Sequence, residues 1–306
     1  MRFTSYCLAA ATALSIAGVA GAQTVVFQDT FDRANSRDID ASLDGITDNT
    51  GTLSAGNVYF QPQLDPNNAT GQDSDPANGG GASIAANQLI LAEGAGTSNA
   101  YVNYNFVDSN SFSVSVDING FSGRGNGQGG AIALGMSQAL ADSAGDAFSG
   151  EPKFTDGFTG ASNGPGAAVA DFWMAFRGDG SLAFGSSGNN NFYVINDVAS
   201  ADAAHTVSAS FVATDFNAGS TVAFQMFVDG MALDSSMVDF TGANADPQLL
   251  AGTFTWTNTD ANYIGLDARD GQGVFFDNFS VTTPVPEPAT LGLAGLAGVA
   301  LLRRRK

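Results

Sequence analysis

"SFSVSVDI", Ser111–Ile118, puts Phe112, Val114, Val116 and Ile118 on one side of an extended chain and three serines and Asp117 on the other. Side chains of a β-strand alternate with a period of two, so this stretch reads as a strand with one apolar and one wet face. "HTVSASFV" (His205–Val212) and "TVAFQMFVDG" (Thr221–Gly230) alternate in the same way. The latter runs into Asp229-Gly230, a dipeptide suited to a two-residue hairpin turn, with "MALDSS" as the returning strand. "TVVF", "YVNYNF", "AIALGM", "DFWMAF", "SLAFG", "NFYVI", "GTFTW", "NYIGLDA" and "GVFFDNFSV" add further strand signals. In all we expect roughly twelve to fourteen strands. No amphipathic helix stands out beyond a turn near Ser137–Ala144. So many short strands predict an all-β fold, a two-sheet antiparallel β-sandwich or jelly roll.

Composition agrees. The 306 residues include 38 glycines and 23 phenylalanines, turn formers and core formers respectively, and only 13% are charged. Glu287 is the one acidic residue outside Thr24–Thr283, and Arg2 with the four terminal basic residues accounts for five of the eleven basic ones. The sandwich therefore carries 29 acidic and six basic residues, a net charge of −23. Such a surface repels nucleic acid and anionic membranes, so no nucleic-acid partner is expected. The single cysteine, Cys7, lies in the N-terminal leader. Disulfides, zinc–thiolate sites and cysteine nucleophiles are thereby excluded from the mature chain.

The two ends read as addresses. "MRFTSYCLAAATALSIAGVAGAQ" has one arginine, an apolar run and a small-x-small site at Ala20-Gly21-Ala22, the pattern of a secretory signal removed by signal peptidase. We place it at residues 1–22, the sandwich at 23–283 and a C-terminal signal at 284–306. The C-terminal apolar run, Ala289–Leu302, would span only about 21 Å as a helix, short of the ~30 Å hydrocarbon core. Gly292, Gly295 and Gly298 weaken it further. Arg303, Arg304, Arg305 and Lys306 follow it as a cytoplasmic stop. The run suits transient insertion into the inner membrane better than permanent anchoring.

Pro286-Glu287-Pro288, the short apolar helix and the basic tail together resemble the PEP-CTERM sorting signal. That resemblance implies export in a Gram-negative bacterium that makes exopolysaccharide. It also implies recognition by an exosortase, a membrane cysteine protease, and release to the cell surface or matrix. Within the domain, "FQMFVDGMALDSS" and "NYIGLDARDGQGVFFDNFSV" are similar to the closing strands of the concanavalin A-like lectin/glucanase sandwich, and "VVFQDTFDRANS" to its opening. The resemblance implies that the first and last strands pair, which would bring Asp29 close to Asp277.

Chemistry is sparse. A laminarinase-like member of that fold carries Glu-x-Asp-x-x-Glu on one strand; the glutamates here are Glu93, Glu151 and Glu287, and no such spacing occurs. Asp117 and Asp171 stand alone. His205 is the only histidine, so a multi-histidine metal site is excluded, and no Gly-x-Ser-x-Gly elbow supports a triad. Calcium suits a chain rich in Asp and Asn. Its candidate ligands are Asp29, Asp277, Asp267 and Asp270, with an acidic loop from Asp65 to Asp75; each reads first as an Asx-turn or solvated loop. For a sugar ring the candidate stacking surfaces are Trp173, Tyr193 and Trp256, with Phe176 and Asn189–Asn191 beside them, against the alternative that the aromatics fill the core. The expectation is a non-enzymatic structural or adhesive sandwich of the cell surface or matrix, in contact with exopolysaccharide. A lectin-like module is the second reading and a divergent polysaccharide-active enzyme the third.

Overall fold

A computed structural model of the chain describes residues 23–61, 81–93, 97–106, 110–121, 125, 127–144, 154–155, 168–186, 192–240, 246–257, 262–269 and 273–284. The leader, the acidic loop from Asp65 to Asp75, Glu151, Asn189–Asn191, Asp270 and the C-terminal signal with Pro286, Glu287, Pro288, Arg303, Arg304 and Arg305 lie outside them.

The strands in chain order are β1 (Gln23–Asp29), β2 (Ile46–Asp48), β3 (Tyr59–Phe60), β4 (Gly81–Ala85), β5 (Gln88–Glu93), β6 (Thr97–Val102), β7 (Ser111–Phe121) and β8 (Gly129–Met136). After helix α1 (Gln138–Asp142) come β9 (Phe172–Arg177), β10 (Leu182–Gly185), β11 (Tyr193–Ile195), β12 (His205–Val212), β13 (Thr221–Val228), β14 (Met231–Ala232) and β15 (Val238–Phe240). Helix α2 (Pro247–Leu250) precedes β16 (Thr253–Thr255), β17 (Tyr263–Arg269) and β18 (Val274–Pro284). The count exceeds the sequence-based one partly because β2 and β15 are three residues long, too short to show a periodicity.

They form two antiparallel sheets, the sandwich that the alternation predicts. One runs β14-β13-β12-β7-β18-β1-β2, with β16 on β13 and the β4–β5 hairpin on β18. The other runs β15-β11-β10-β9-β8-β17-β6-β3. The first and last strands do pair, β1 beside β18. The hairpin at Asp229-Gly230 is also present, both residues having positive φ (52° and 74°), as a primed turn requires.

The two sheets differ in how they meet water. In β7, β12 and β13 buried residues alternate with part-exposed ones, so one face of the ten-stranded sheet is wet. In β8, β9, β10 and β11 every residue is buried. The unbroken apolar runs "AIALGM" and "FWMAF" are therefore strands covered on both faces.

The core between the sheets is aromatic. Phe172 of β9 lies 5.3 Å from Phe211 of β12, 4.7 Å from Phe224 of β13 and 5.3 Å from Phe254 of β16, ring centre to ring centre. Contacts of this kind add about 0.5–1.5 kcal/mol each beyond the area they bury.

The chain leaves β1 through a buried ionic knot. Asp29 is fully buried, and Arg33 grips it with Nη1–Oδ1 at 2.7 Å and Nη2–Oδ2 at 2.9 Å. Tyr59 donates to Asp29 Oδ2 at 2.9 Å, and the Phe31 amide to Oδ1 at 2.7 Å. Burial, followed by the nearby Asp29 charge, raises the Tyr59 hydroxyl well above its ordinary value and keeps it a donor. Next to this knot, Asp40 accepts the Val58 and Tyr59 amides at 2.9 and 3.1 Å. A buried ion pair repays its desolvation only when its other hydrogen-bond sites are filled, as they are here.

Removing the cation would leave a buried carboxylate alone. Arg33→Met should destabilise the protein by about 3–5 kcal/mol, and Tyr59→Phe by about 1–3 kcal/mol. Denaturant unfolding of the full chain measures both, and an Arg33→Met loss within error of zero would show that the knot contributes nothing.

Candidate functional site

The outer face of the eight-stranded sheet is where the least expected chemistry gathers. Pairing register lays its side chains out in rows. One row runs Asn99, Asp267, Ala131, Ala175, Ala183 and Val194 across six strands. The next runs Tyr101, Gly265, Ala133, Trp173 and Gly185. On the other side of the first row stand Arg269, Gly129 and Arg177. The middle of the face is thus floored by alanine and glycine.

That floor lets rings lie flat on the sheet. A Cβ on Gly185 would come within 2.6 Å of the Trp173 ring, and one on Gly265 within 2.4 Å of the Phe154 ring. Trp173 meets Phe192 edge-on at 5.8 Å, and Tyr101 meets Tyr263 at 5.6 Å. Together they make a second apolar cluster, separate from the core between the sheets. The Tyr101 hydroxyl donates to Asp142 of α1, and burial, with that hydrogen bond second, raises its pKa.

Polar groups are set into this apolar layer, two of them charged. Asp267, 1% exposed, accepts from the Thr155 hydroxyl at 2.7 Å. Arg177, 3% exposed, has its guanidinium carbon 5.4 Å from the Phe192 ring centre, and its Nη1 is 3.4 Å from Ser181 Oγ. Burial lowers the Arg177 pKa and the charge of Asp179 partly restores it.

The structure does not bring the residues singled out in the sequence into one site. Trp173 lies on the outer face but under other rings. Tyr193 faces the core between the sheets, stacked on Phe184 at 5.5 Å, with its hydroxyl donating to the Asp246 carbonyl at 2.7 Å. Trp256 is fully buried against Phe216 and Phe254. Stacking on a sugar needs a ring face open to solvent, and none of the three offers one. Phe176 also belongs to the core, against Phe121 and His205.

The carboxylates separate likewise. Asp29 shares the inward face of β1 with Phe27 and is saturated by Arg33 and Tyr59. Asp277 lies on the wet face of its sheet, opposite Asp117, where Asn119 and the Asn278 amide donate to it. Strand pairing is as expected, but the two side chains point to opposite faces, so they do not form a joint cation site. Burial raises the Asp277 pKa. Asp267 belongs to the other sheet, and Asp270 lies outside the described residues. Among the described residues no cluster of three or more carboxylate, histidine or cysteine side chains is placed to hold a metal.

The remaining polar candidates are tied into the fold. Asp117 accepts from Thr206 and from Asn278 Nδ2 at 2.9 Å. Asp171 accepts both the amide (2.8 Å) and the hydroxyl of Thr257. His205, buried at the start of β12, bridges Asp229 and the Ser200 carbonyl, each at 2.7 Å. Sequence reasoning passed over Arg177, because a strand-ending arginine before Gly-Asp-Gly looks like an ordinary surface cation.

Comparison with known proteins adds a destination and a likeness. Residues 284–306 match the PEP-CTERM protein-sorting motif. The chain is an exported protein that carries this exosortase sorting signal behind a β-sandwich. No curated protein matches it. Among solved structures it is similar to the legume lectin-like domain from Entamoeba histolytica, at 11% identity and a TM-score of 0.40, over 77% of this chain and 100% of that one. It is also similar to the VIP36 exoplasmic/lumenal domain in its Ca2+/Man3GlcNAc-bound form, at 8% identity and 0.40, over 68% and 86%. A third likeness is lectin I-B4 from Griffonia simplicifolia in its metal-free form, at 11% and 0.35, over 74% and 99%.

The glycine floor makes a direct test of the ring layer. In a Trp256→Phe background, Gly185→Ala should cost about 1–3 kcal/mol by overpacking and shift the emission of the remaining Trp173. Unchanged stability and emission would mean that the ring does not rest on Gly185.

Proposed function

We propose that this is a non-catalytic protein of the bacterial cell surface or extracellular matrix, whose sandwich acts structurally or adhesively in contact with exopolysaccharide. The sorting motif at 284–306 carries the reading, since it gives the domain its destination. The hydrogen bonding of the carboxylates supports it. Asp29, Asp117 and Asp171 are each engaged in hydrogen bonds that hold one part of the fold to another. Carboxylates used this way are structural, whereas glycoside cleavage needs a pair facing a shared cleft. The acidic surface keeps the exported domain soluble and away from nucleic acid and anionic lipid.

On this reading the apolar run Ala289–Leu302 inserts into the inner membrane of a Gram-negative cell only until an exosortase cuts near Pro286-Glu287-Pro288. No helix among the described residues is long and apolar enough to cross a membrane. Mass spectrometry of surface or matrix material should find the mature chain without Arg303 to Lys306. An intact tail on that material would sink the sorting-by-cleavage reading, and steady reducing-sugar release from a polysaccharide would sink the non-catalytic one.

Calcium belongs to the same proposal, with Asp267 of β17 as its candidate ligand among the described residues and Asp270 as one outside them. Hard oxygen ligands from carboxylates and backbone carbonyls are what that ion takes. Added calcium should then raise the thermal midpoint over that in EDTA. A midpoint indifferent to both removes the ion as a stabiliser.

A further inference from the structure

The sugar platforms expected from residue type are interior, but one aromatic ring is open to solvent. Phe60 of β3 is 40% exposed, the most of any aromatic side chain described. β3 is an edge of the eight-stranded sheet, and its two residues part by alternation: Tyr59 enters the core and Phe60 takes the outer face. There Phe60 pairs in register with Tyr101, so it begins the row that runs on through Gly265, Ala133 and Trp173. Its ring centre lies 5.4 Å from that of Tyr101, with the planes tilted by 40°. Tyr101 is fully buried and gives the exposed ring a fixed support.

Polar groups gather around the same support. The Tyr101 hydroxyl donates to Oδ1 of Asp142 on α1, and Gln138, one turn earlier on that helix, lies beside it. Both helix residues are exposed. From the strand on the other side of β6, partly exposed Tyr263 meets Tyr101 edge-on at 5.6 Å. Burial, then the nearby Asp142 charge, raises the Tyr263 pKa and keeps its hydroxyl a donor. Phe60, Tyr263, Gln138 and Asp142 thus surround one buried ring and all reach water, so a ligand needs no path into the interior. The set offers a flat apolar face, hydrogen-bond donors and a carboxylate whose Oδ2 can accept from a ligand hydroxyl. Its one charge is negative.

We infer that Phe60 is a stacking platform for a neutral pyranose ring, whose hydroxyls are met by Asp142, Gln138 and Tyr263. Resting on the matrix reading above, that ring belongs to a neutral residue of the surrounding polysaccharide. A pyranose presents an apolar C–H face bordered by hydroxyls, which matches an aromatic face bordered by donors and a carboxylate. An apolar peptide would cover Asp142 and Gln138 without pairing them, which is unfavourable. An acidic sugar would meet both the Asp142 charge and the net −23 of the domain.

Saturation-transfer NMR on the full-length protein tests this, with oligomers of glucose, galactose, mannose and galacturonate as probes. Saturation of the protein's aromatic protons should pass to the C–H protons of at least one neutral oligomer and not to galacturonate. Phe60→Leu keeps an apolar cover on Tyr101 but removes the flat face, and should weaken that oligomer about tenfold or more. Phe60→Trp should retain it. The side chain is at the surface, so neither variant should shift the thermal midpoint, and the wild-type readout stands whatever the variants do. The platform is overturned if no neutral oligomer takes up saturation, if Phe60→Leu leaves the transfer intact, or if galacturonate takes it up as strongly. A dimer in sedimentation that Phe60→Leu dissolves would give the ring to a second copy of the chain and overturn it too. If polysaccharide retains the wild-type protein and Phe60→Leu equally, the platform falls and the matrix reading stands. If oligomers bind at Phe60 and no polysaccharide retains the protein, the platform stands and the matrix reading falls.

Discussion

Phe172 marks the contact on which the rest of the sandwich depends. It projects from the doubly covered sheet and touches phenylalanines on three strands of the facing one. Directional hydrogen bonds build each sheet, but they do not fix one sheet against the other. That alignment comes from interdigitated side chains, packed at crystal-like density. Because β9 places Phe172 inward, it must place Trp173 outward, and the ring layer on the far face follows from the same alternation.

Much of this fold could be read in the sequence, and the reason is local. Ser111–Ile118, His205–Val212 and Thr221–Val228 each have one wet face, so their polar residues report the sheet's outer surface directly. Asp229-Gly230 reports its own turn through the conformations those residues tolerate. The doubly covered strands were legible as strands but not as to which face met what. In "FWMAF" both Phe172 and Trp173 are apolar, and nothing nearby indicates that Trp173 is covered by residues from elsewhere in the chain.

The candidate site was largely illegible for the same physical reason. Trp173, Tyr193 and Trp256 were plausible sugar platforms by residue type, but solvent access is a tertiary property, and all three are interior. Asp29 and Asp277 were correctly brought to neighbouring strands, but their faces differ. Phe27, two residues before Asp29, gives that face away once it is known to be core. The destination of the chain was the easier inference, since Pro286-Glu287-Pro288, a short apolar run and a basic tail act through linear order rather than through folding. Arg177 stayed hidden because its burial against the Phe192 ring is something only assembled neighbours can show. Arg33, its counterpart, looked equally ordinary in sequence and proves to tie the end of β1 to the loop at Ile39.

The double covering of the eight-stranded sheet also bears on durability. A protein beyond the cell wall has no chaperones to refold it, so its lifetime is set by how rarely it opens rather than by equilibrium stability alone. A sheet with one wet face can lose an edge strand while the core holds. Strands β8 to β11 are bound on both sides, so peeling any of them disturbs two packed layers together. Such coupling raises the barrier to partial opening and leaves proteases few transient edges to grasp. The alanine and glycine floor, which adds little to the core by volume, is thus what lets the second layer seat on the sheet.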